Sequence, residues 1–261
     1  MMPNLGPYDQ FLFALVAMLG TTIAMLLLLW ATQFSPYSAW IRSFRGVAQN
    51  FMSVISVLFA LNIAFLAHDT WTAHDRALDT VFLEAGSLRT ILDLAERLPD
   101  DVRRDLRAAV GDYARLAVDD EWPKLARRGS SEAAAARLDE LVTLVAAASA
   151  AAAGPTVQAA LLQQTVAVRH TRDLRVALSQ THVNPLKWLG MAFLGLLTMI
   201  SIAMVHIDQP RAEILAVLLF AAAAAPTAAI ILVHGNPFQE PAAVTAAPIA
   251  AVLQMATSGG H

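Results

Sequence analysis

Four long apolar stretches, two before and two after a charged middle, dominate the chain. They are Phe11 to Trp30, Asn50 to Ala67, Leu186 to Val205 and Ile214 to Val233. Each is close to the roughly 20 helical residues that cross a hydrocarbon core. A helix on the surface of a soluble protein shows a polar face every three or four residues. Here, apart from Lys187 at one edge, the interruptions are only Ser, Thr, Asn, Gly and Pro. The pattern predicts an all-α membrane protein with four transmembrane helices, arranged two plus two, and a helical-bundle cytoplasmic domain between the second and third. The boundaries fall at 10–67 for the first two helices, 68–185 for the cytoplasmic domain, 186–234 for the last two helices and 235–261 for a C-terminal tail.

The second stretch has no turn signal where it leaves the membrane. From Asn50 through His68, Trp71, Arg76 and Leu83 to Leu98 it contains no Pro, which predicts one helix of about 45 residues and about 70 Å, half in lipid and half in water. Pro99 stops it, and Asp100 or Asp101 is positioned to cap the next helix. That helix carries Val102, Leu106, Val110, Tyr113 and Ala117 at spacings of three and four, and ends near Glu121-Trp122-Pro123. Ser130-Ser131 opens a third helix that runs into the alanine-rich 144–153 segment, and Gly154-Pro155 breaks it. A fourth, from Thr156 to about Thr181, leads through Asn184-Pro185 into the third span. Helices in series with short joints form a bundle.

Other segments refine this picture. Pro36, Trp40, Arg42, Phe44 and Arg45 mix aromatics with arginines, a composition that suits the headgroup level between the first two spans. Pro226 interrupts the last span and is expected to kink it. Residues 239–261 read as an exit segment with a frayed end. An even number of spans puts both termini and the middle domain on one side. Arg76, Arg172, Arg175 and Lys187 flank that side, against Arg42, Arg45 and Arg211 on the other, so the positive-inside rule favours N-in and C-in in a cell inner membrane.

Composition narrows the function. Hydrophobic residues make up 57% and charged residues 15%, against about 25% charged in soluble domains. A net charge of −3 excludes the basic face of a nucleic-acid binder. With no cysteine, there is no disulfide, thiolate nucleophile or cysteine metal site. His68-Asp69 and His74-Asp75 repeat six residues apart, so their rings do not share a helix face as an i, i+4 metal pair would. No metalloprotease, hydrolase or phosphate-loop motif is present. The chain is therefore read as neither an enzyme nor a metal or cofactor protein.

The chemistry that remains lies along the second span and in a few charged positions. Ser56, Phe59, Asn62, Ile63 and Leu66 form one helical stripe, continuing to Asp69 and Arg76. Asn62 is costly against lipid, and one reading makes it a helix–helix hydrogen bond inside the subunit. The other makes the stripe a pore lining, with Phe59, Ile63 and Leu66 as a constriction that gates by dewetting. Without an acidic residue in the stripe inside the membrane, such a pore suits anions or is unselective. Arg169, Arg172 and Arg175 follow one another at i, i+3, i+6 and are candidates for an electrostatic rim or for salt bridges.

In their order and spacing, these features resemble the bestrophin-like family of bacterial membrane proteins. The resemblance covers roughly residues 10 to 255. It rests on Glu84-Ala85-x-x-Leu88 after the second span, Tyr113 followed by Glu121-Trp122-Pro123, and Arg169-x-x-Arg172. Pro185-Leu186-x-Trp188 opens the third span and Pro237-Phe238 closes the fourth. Family members carry an acidic residue before that Pro-Phe pair; here His234-Gly235-Asn236 stands in its place. The resemblance implies distant kinship with bestrophins, pentameric anion channels lined by the second span. It implies a homo-oligomer, a pentamer by analogy, whose partners are itself, membrane lipids and small anions. Glu84, Glu121, Trp122, Pro226, Pro237 and Phe238 are then expected to hold structure rather than touch an ion. The competing reading is a non-conducting scaffold or sensor that signals through the long second helix.

Overall fold

The computed structural model describes residues 9–44, 46–147, 154–180 and 185–258, and every regular element among them is helical. Arg45, the alanine-rich run at 148–153, the joint at Asn184 and the terminal Gly-Gly-His lie outside the described residues. The helices are α1 (Asp9–Gln33), α2 (Ser38–Arg42), α3 (Val47–Ala95), α4 (Asp100–Leu116), α5 (Trp122–Ala126), α6 (Glu132–Ala146), α7 (Pro155–Gln180), α8 (Pro185–Val205), α9 (Pro210–Val233) and α10 (Ala247–Ser258). Four stretches, within α1, α3, α8 and α9, are long and apolar enough to cross a membrane.

The chain divides into two compact units, with α3 entering both. The first comprises residues 1–71 and 182–235. In it α9 packs along α1 and α8. Its alanines make this close approach possible: Ala221, Ala225, Ala228 and Ala229 are all buried, and small side chains let helix backbones come together in the absence of a hydrophobic driving force. The helix continues through Pro226 from Pro210 to Val233. Larger residues fill the space between, with Leu66 of α3 buried among Met191, Ala228 and Ile231.

The second unit comprises residues 72–181 and 236–261. Here α3 changes character and becomes amphipathic. Ala77, Val81, Ala85, Leu88, Ile91 and Ala95 form a buried stripe at spacings of three and four. The stripe of α4 (Val102, Leu106, Val110, Tyr113, Ala117) is buried as well, and that of α7 runs Leu161, Thr165, Val168, Arg172, Arg175, Ser179. Asp100 and Asp101 stand in the first turn of α4, where they complement the helix dipole, while Pro99 occupies the cap position. Ser131 does cap α6, its hydroxyl accepting from Ala134 N at 3.1 Å. Within the segment read as an exit with a frayed end lies a further helix, α10, which packs on α4 and buries Ile249 and Val252.

Candidate functional site

Between α4 and α5 the helical ladder widens into a π-turn, Ala117–Glu121. Pro123 has no amide hydrogen to continue an α-helix, and just before it Trp122 N–H reaches back five residues to Ala117 O. Such turns often mark functional positions. This one delivers Glu121 and Trp122 into the core, where Glu121 is fully buried.

Glu121 meets three other charged groups there. Arg175, at 0% exposure, donates from Nε to Glu84 Oε2 at 2.9 Å, and from Nη2 to Glu84 Oε1 at 3.0 Å and Glu121 Oε2 at 2.9 Å. Arg172 donates from Nη2 to Glu121 Oε1 at 2.5 Å and to Ser131 O at 2.9 Å. Ser131 N–H gives Glu121 a further bond at 3.1 Å, and Tyr113 Oη donates to Glu84 Oε1 at 2.6 Å. The face of Trp122 lies 5.1 Å from the Arg175 guanidinium carbon, within cation–π range. The Trp122 indole N–H donates to Val244 O at 3.1 Å, and its ring meets Phe238 edge-on at 5.5 Å. Asn236, standing where the family's acidic residue is expected, donates to Leu125 O at 3.1 Å and accepts from Phe238 N at 3.0 Å.

Two carboxylates and two guanidiniums balance one another. Burial works against the Arg175 charge, but Glu84, Tyr113 and Glu121 outweigh it and hold its pKa above the ordinary arginine value. Burial, reinforced by the Glu84 carboxylate, pushes the Tyr113 phenol well above the usual tyrosine range. The network has no net charge to offer a diffusing ion.

The arginine series does not act as one rim. Successive steps of three residues turn a helix by 300°, so Arg169 and Arg175 end about 120° apart on α7. Arg172 and Arg175 are buried, whereas Arg169 lies outside and pairs with the exposed Asp139. The sequence holds a signal of this: Arg172 and Arg175 continue the apolar register of Leu161 and Val168, and Glu84 interrupts that of Val81, Ala85 and Leu88. Tyr113, the fifth member, was legible as a core position and as part of the family resemblance, but not as a partner of Glu84.

In the first unit, α3 shows two different faces. The stripe chosen from the sequence faces its own chain. Phe59 and Ile63 pack against the cluster of Leu66, Met191, Ala228 and Ile231, and the Phe59 and Phe220 ring centroids are 5.4 Å apart. A Cβ at Gly195 would meet Phe59 Cε2 at 3.1 Å, and one at Gly190 would meet Asn62 Nδ2 at 3.8 Å. Ser56 is half-buried on that side. The opposite face carries Val57, Leu61 and Phe65, 57%, 48% and 66% exposed. In the second unit, Asp75 and Asp79 of α3 are exposed too. Arg76 is also exposed, and Asp69 Oδ2 accepts from Lys187 Nζ at 2.5 Å on the surface.

A family model for the Bestrophin-like domain matches residues 19–249. The chain belongs to the bestrophin-like family. Solved structures agree at the level of the fold. A bacterial bestrophin homologue from Klebsiella pneumoniae aligns over 97% of this chain and 100% of its own, with a TM-score of 0.65 at 13% identity. A second structure of that homologue gives 0.62 over the same shares, also at 13% identity. A crystal structure described as a membrane protein gives 0.66, at 13% identity, over 97% of this chain and 99% of its own. No curated protein matches the sequence. With its four apolar helices and this family, the bestrophin-like chain is a membrane protein.

Proposed function

We propose that this bestrophin-like chain assembles as a homo-oligomeric channel in a bacterial inner membrane, a passive pathway for small ions lined by α3. One observation carries the reading. An apolar face of Val57, Leu61 and Phe65 is left open on a helix whose other side is packed. On a helix of 49 residues, such an open face is surface available to copies of the chain or to acyl chains. Around an oligomer axis, three successive apolar rings form a constriction that gates by dewetting. Ser56, Phe59, Asn62, Ile63 and Leu66 then hold α3 against α8 and α9. The charged unit, the N-terminus and the C-terminus lie on the cytoplasmic side, with the buried Glu84, Glu121, Arg172 and Arg175 as its structural core.

Kinship with bestrophins makes small anions the carried ions. Asp75 and Asp79 support a second reading. They are exposed carboxylates on the continuation of α3 in the second unit, and rings of carboxylates favour cations.

The test is ion flux and reversal potential in liposomes reconstituted with protein of known oligomeric mass. Leu61→Ala is expected to conduct more than wild type, since it shortens the side chain of the middle of the three apolar rings. Under a salt gradient, reversal toward the chloride equilibrium potential supports the anion reading. Reversal toward the cation potential, abolished by Asp75→Asn with Asp79→Asn, supports the other. A well-folded oligomer silent in both forms would overturn the channel and return the weight to a scaffold or sensor.

A further inference from the structure

An ionisable residue inside a transmembrane bundle is expensive, and it marks a site until its partner is found. Glu213, in the first turn of α9, is such a residue: it is fully buried in the first unit. Its Oε2 accepts from Gln33 Nε2 of α1 at 2.5 Å. Its Oε1 is buried and has no hydrogen-bond partner. Among the described residues Glu213 makes no ion pair.

Among the described residues, the neighbouring elements do not supply the missing charge, and Arg42 of α2 is exposed. The last turn of α1 contains no basic residue, and α8 carries Lys187 only at its far end. His206, just beyond α8, shares its Nδ1 with Ile202 O at 2.9 Å. Arg211, two residues before Glu213, is exposed. The α1 end adds its own partial negative charge from the carbonyls of its last turn. The N-terminus of α9 supplies a partial positive charge, but a neutral amide and that half-charge provide no full counter-charge at a buried carboxyl site.

We propose that Glu213 and Gln33 form a binding site for one small monovalent cation of the alkali type, joining the ends of α1 and α9. The donor set fits that class. Carboxylate and amide oxygens are hard ligands suited to alkali and alkaline-earth ions rather than to soft metals. A single carboxylate matches a single positive charge, and no group of three or more His, Cys, Asp or Glu gathers among the described residues to hold a multivalent metal. Gln33 turned by half a rotation offers its oxygen in place of its nitrogen, an interchange that the amide allows. The proposal goes beyond the channel reading and does not rest on it.

Thermal unfolding of the purified full chain in detergent tests it without any need for conduction. Sodium chloride, potassium chloride and N-methyl-D-glucamine chloride are compared at a constant ionic strength of about 0.15 M. The melting temperature is expected to be about 5 °C higher in sodium or potassium than in the bulky organic cation. Glu213→Gln, which keeps the shape and removes the charge, should melt at one temperature in all three salts. Glu140→Gln, which removes an exposed carboxylate elsewhere, should respond as wild type does. Equal melting of the wild type in the three salts overturns the site, with no variant required. A persistent sodium or potassium effect in Glu213→Gln overturns it too, since the cation would then bind elsewhere.

Discussion

Arg175 is the residue on which the charged core of the second unit turns. Its guanidinium bridges Glu84 and Glu121, both of which are buried. Arg175→Met fits the space but leaves two carboxylates facing each other with one fewer cation, and removing one partner of a buried pair costs about 3–5 kcal/mol. Denaturant or thermal unfolding should show that loss, while Arg169→Met, which breaks only the exposed pair with Asp139, should cost less than about 1 kcal/mol. Tyr113 gives the same network a pH signature. Its folded pKa is raised by burial and by Glu84, so the neutral phenol contributes fully below the unfolded value of about 10 and that contribution is lost as pH rises beyond it. Wild type is expected to lose stability more steeply above about pH 10 than Tyr113→Phe does. At neutral pH the variant should be weaker by about 1.5–3 kcal/mol, for a lost bond to a charged acceptor. Alkaline unfolding curves of the two proteins check both signs. At this scale the sequence revealed the members but not the meeting: Glu84 and Arg175 lie 91 positions apart. A charge in a core register shows that a partner is needed without saying which.

The element that best repaid reading from sequence is α3. The absence of Pro from Asn50 to Leu98 announced one long helix, and the structure has it from Val47 to Ala95. Its faces were harder to tell apart. In the apolar half, most positions are Val, Leu, Ile, Phe or Ala, so hydrophobicity does not separate the packed side from the open side. The polar residues Ser56 and Asn62 drew the stripe toward the side that α8 and α9 cover. Glycine on the partner helix was the more informative clue. Gly195 leaves room for the Phe59 ring, and a Cβ there would sit 3.1 Å from Phe59 Cε2. Gly195→Ala is expected to destabilise the first unit by about 1–3 kcal/mol through overpacking. Phe59→Leu in the same chain should recover part of that loss, because the two positions share one space. A double-mutant cycle on melting temperature measures the coupling, and simple additivity would show that Phe59 and Gly195 do not press on each other.

At the scale of the whole molecule, the alternation of apolar and charged segments was enough to predict an all-helical membrane chain. A single sequence contains no term for contacts between copies, so a pathway between them was not legible, and the open face of α3 is the surface that the proposed channel puts to the test. The chain has no cysteine, which makes single thiols a clean probe of that face. Leu61→Cys and Phe65→Cys place a thiol on the open side, Phe59→Cys and Leu66→Cys on the packed side. A charged, water-soluble thiol reagent reacts with the thiolate, and a thiol ionises only where water reaches it. If the open face lines a pathway, the first pair should be labelled in liposome-embedded protein, as read by intact mass. Attachment of the charged group there should also cut flux several-fold. The second pair should remain unlabelled, since protein surrounds it on that side. An open face turned to acyl chains gives the opposite result at Leu61→Cys and Phe65→Cys. Lipid then keeps both thiols neutral and unreactive, flux is untouched, and α3 cannot be the wall of a water-filled pore.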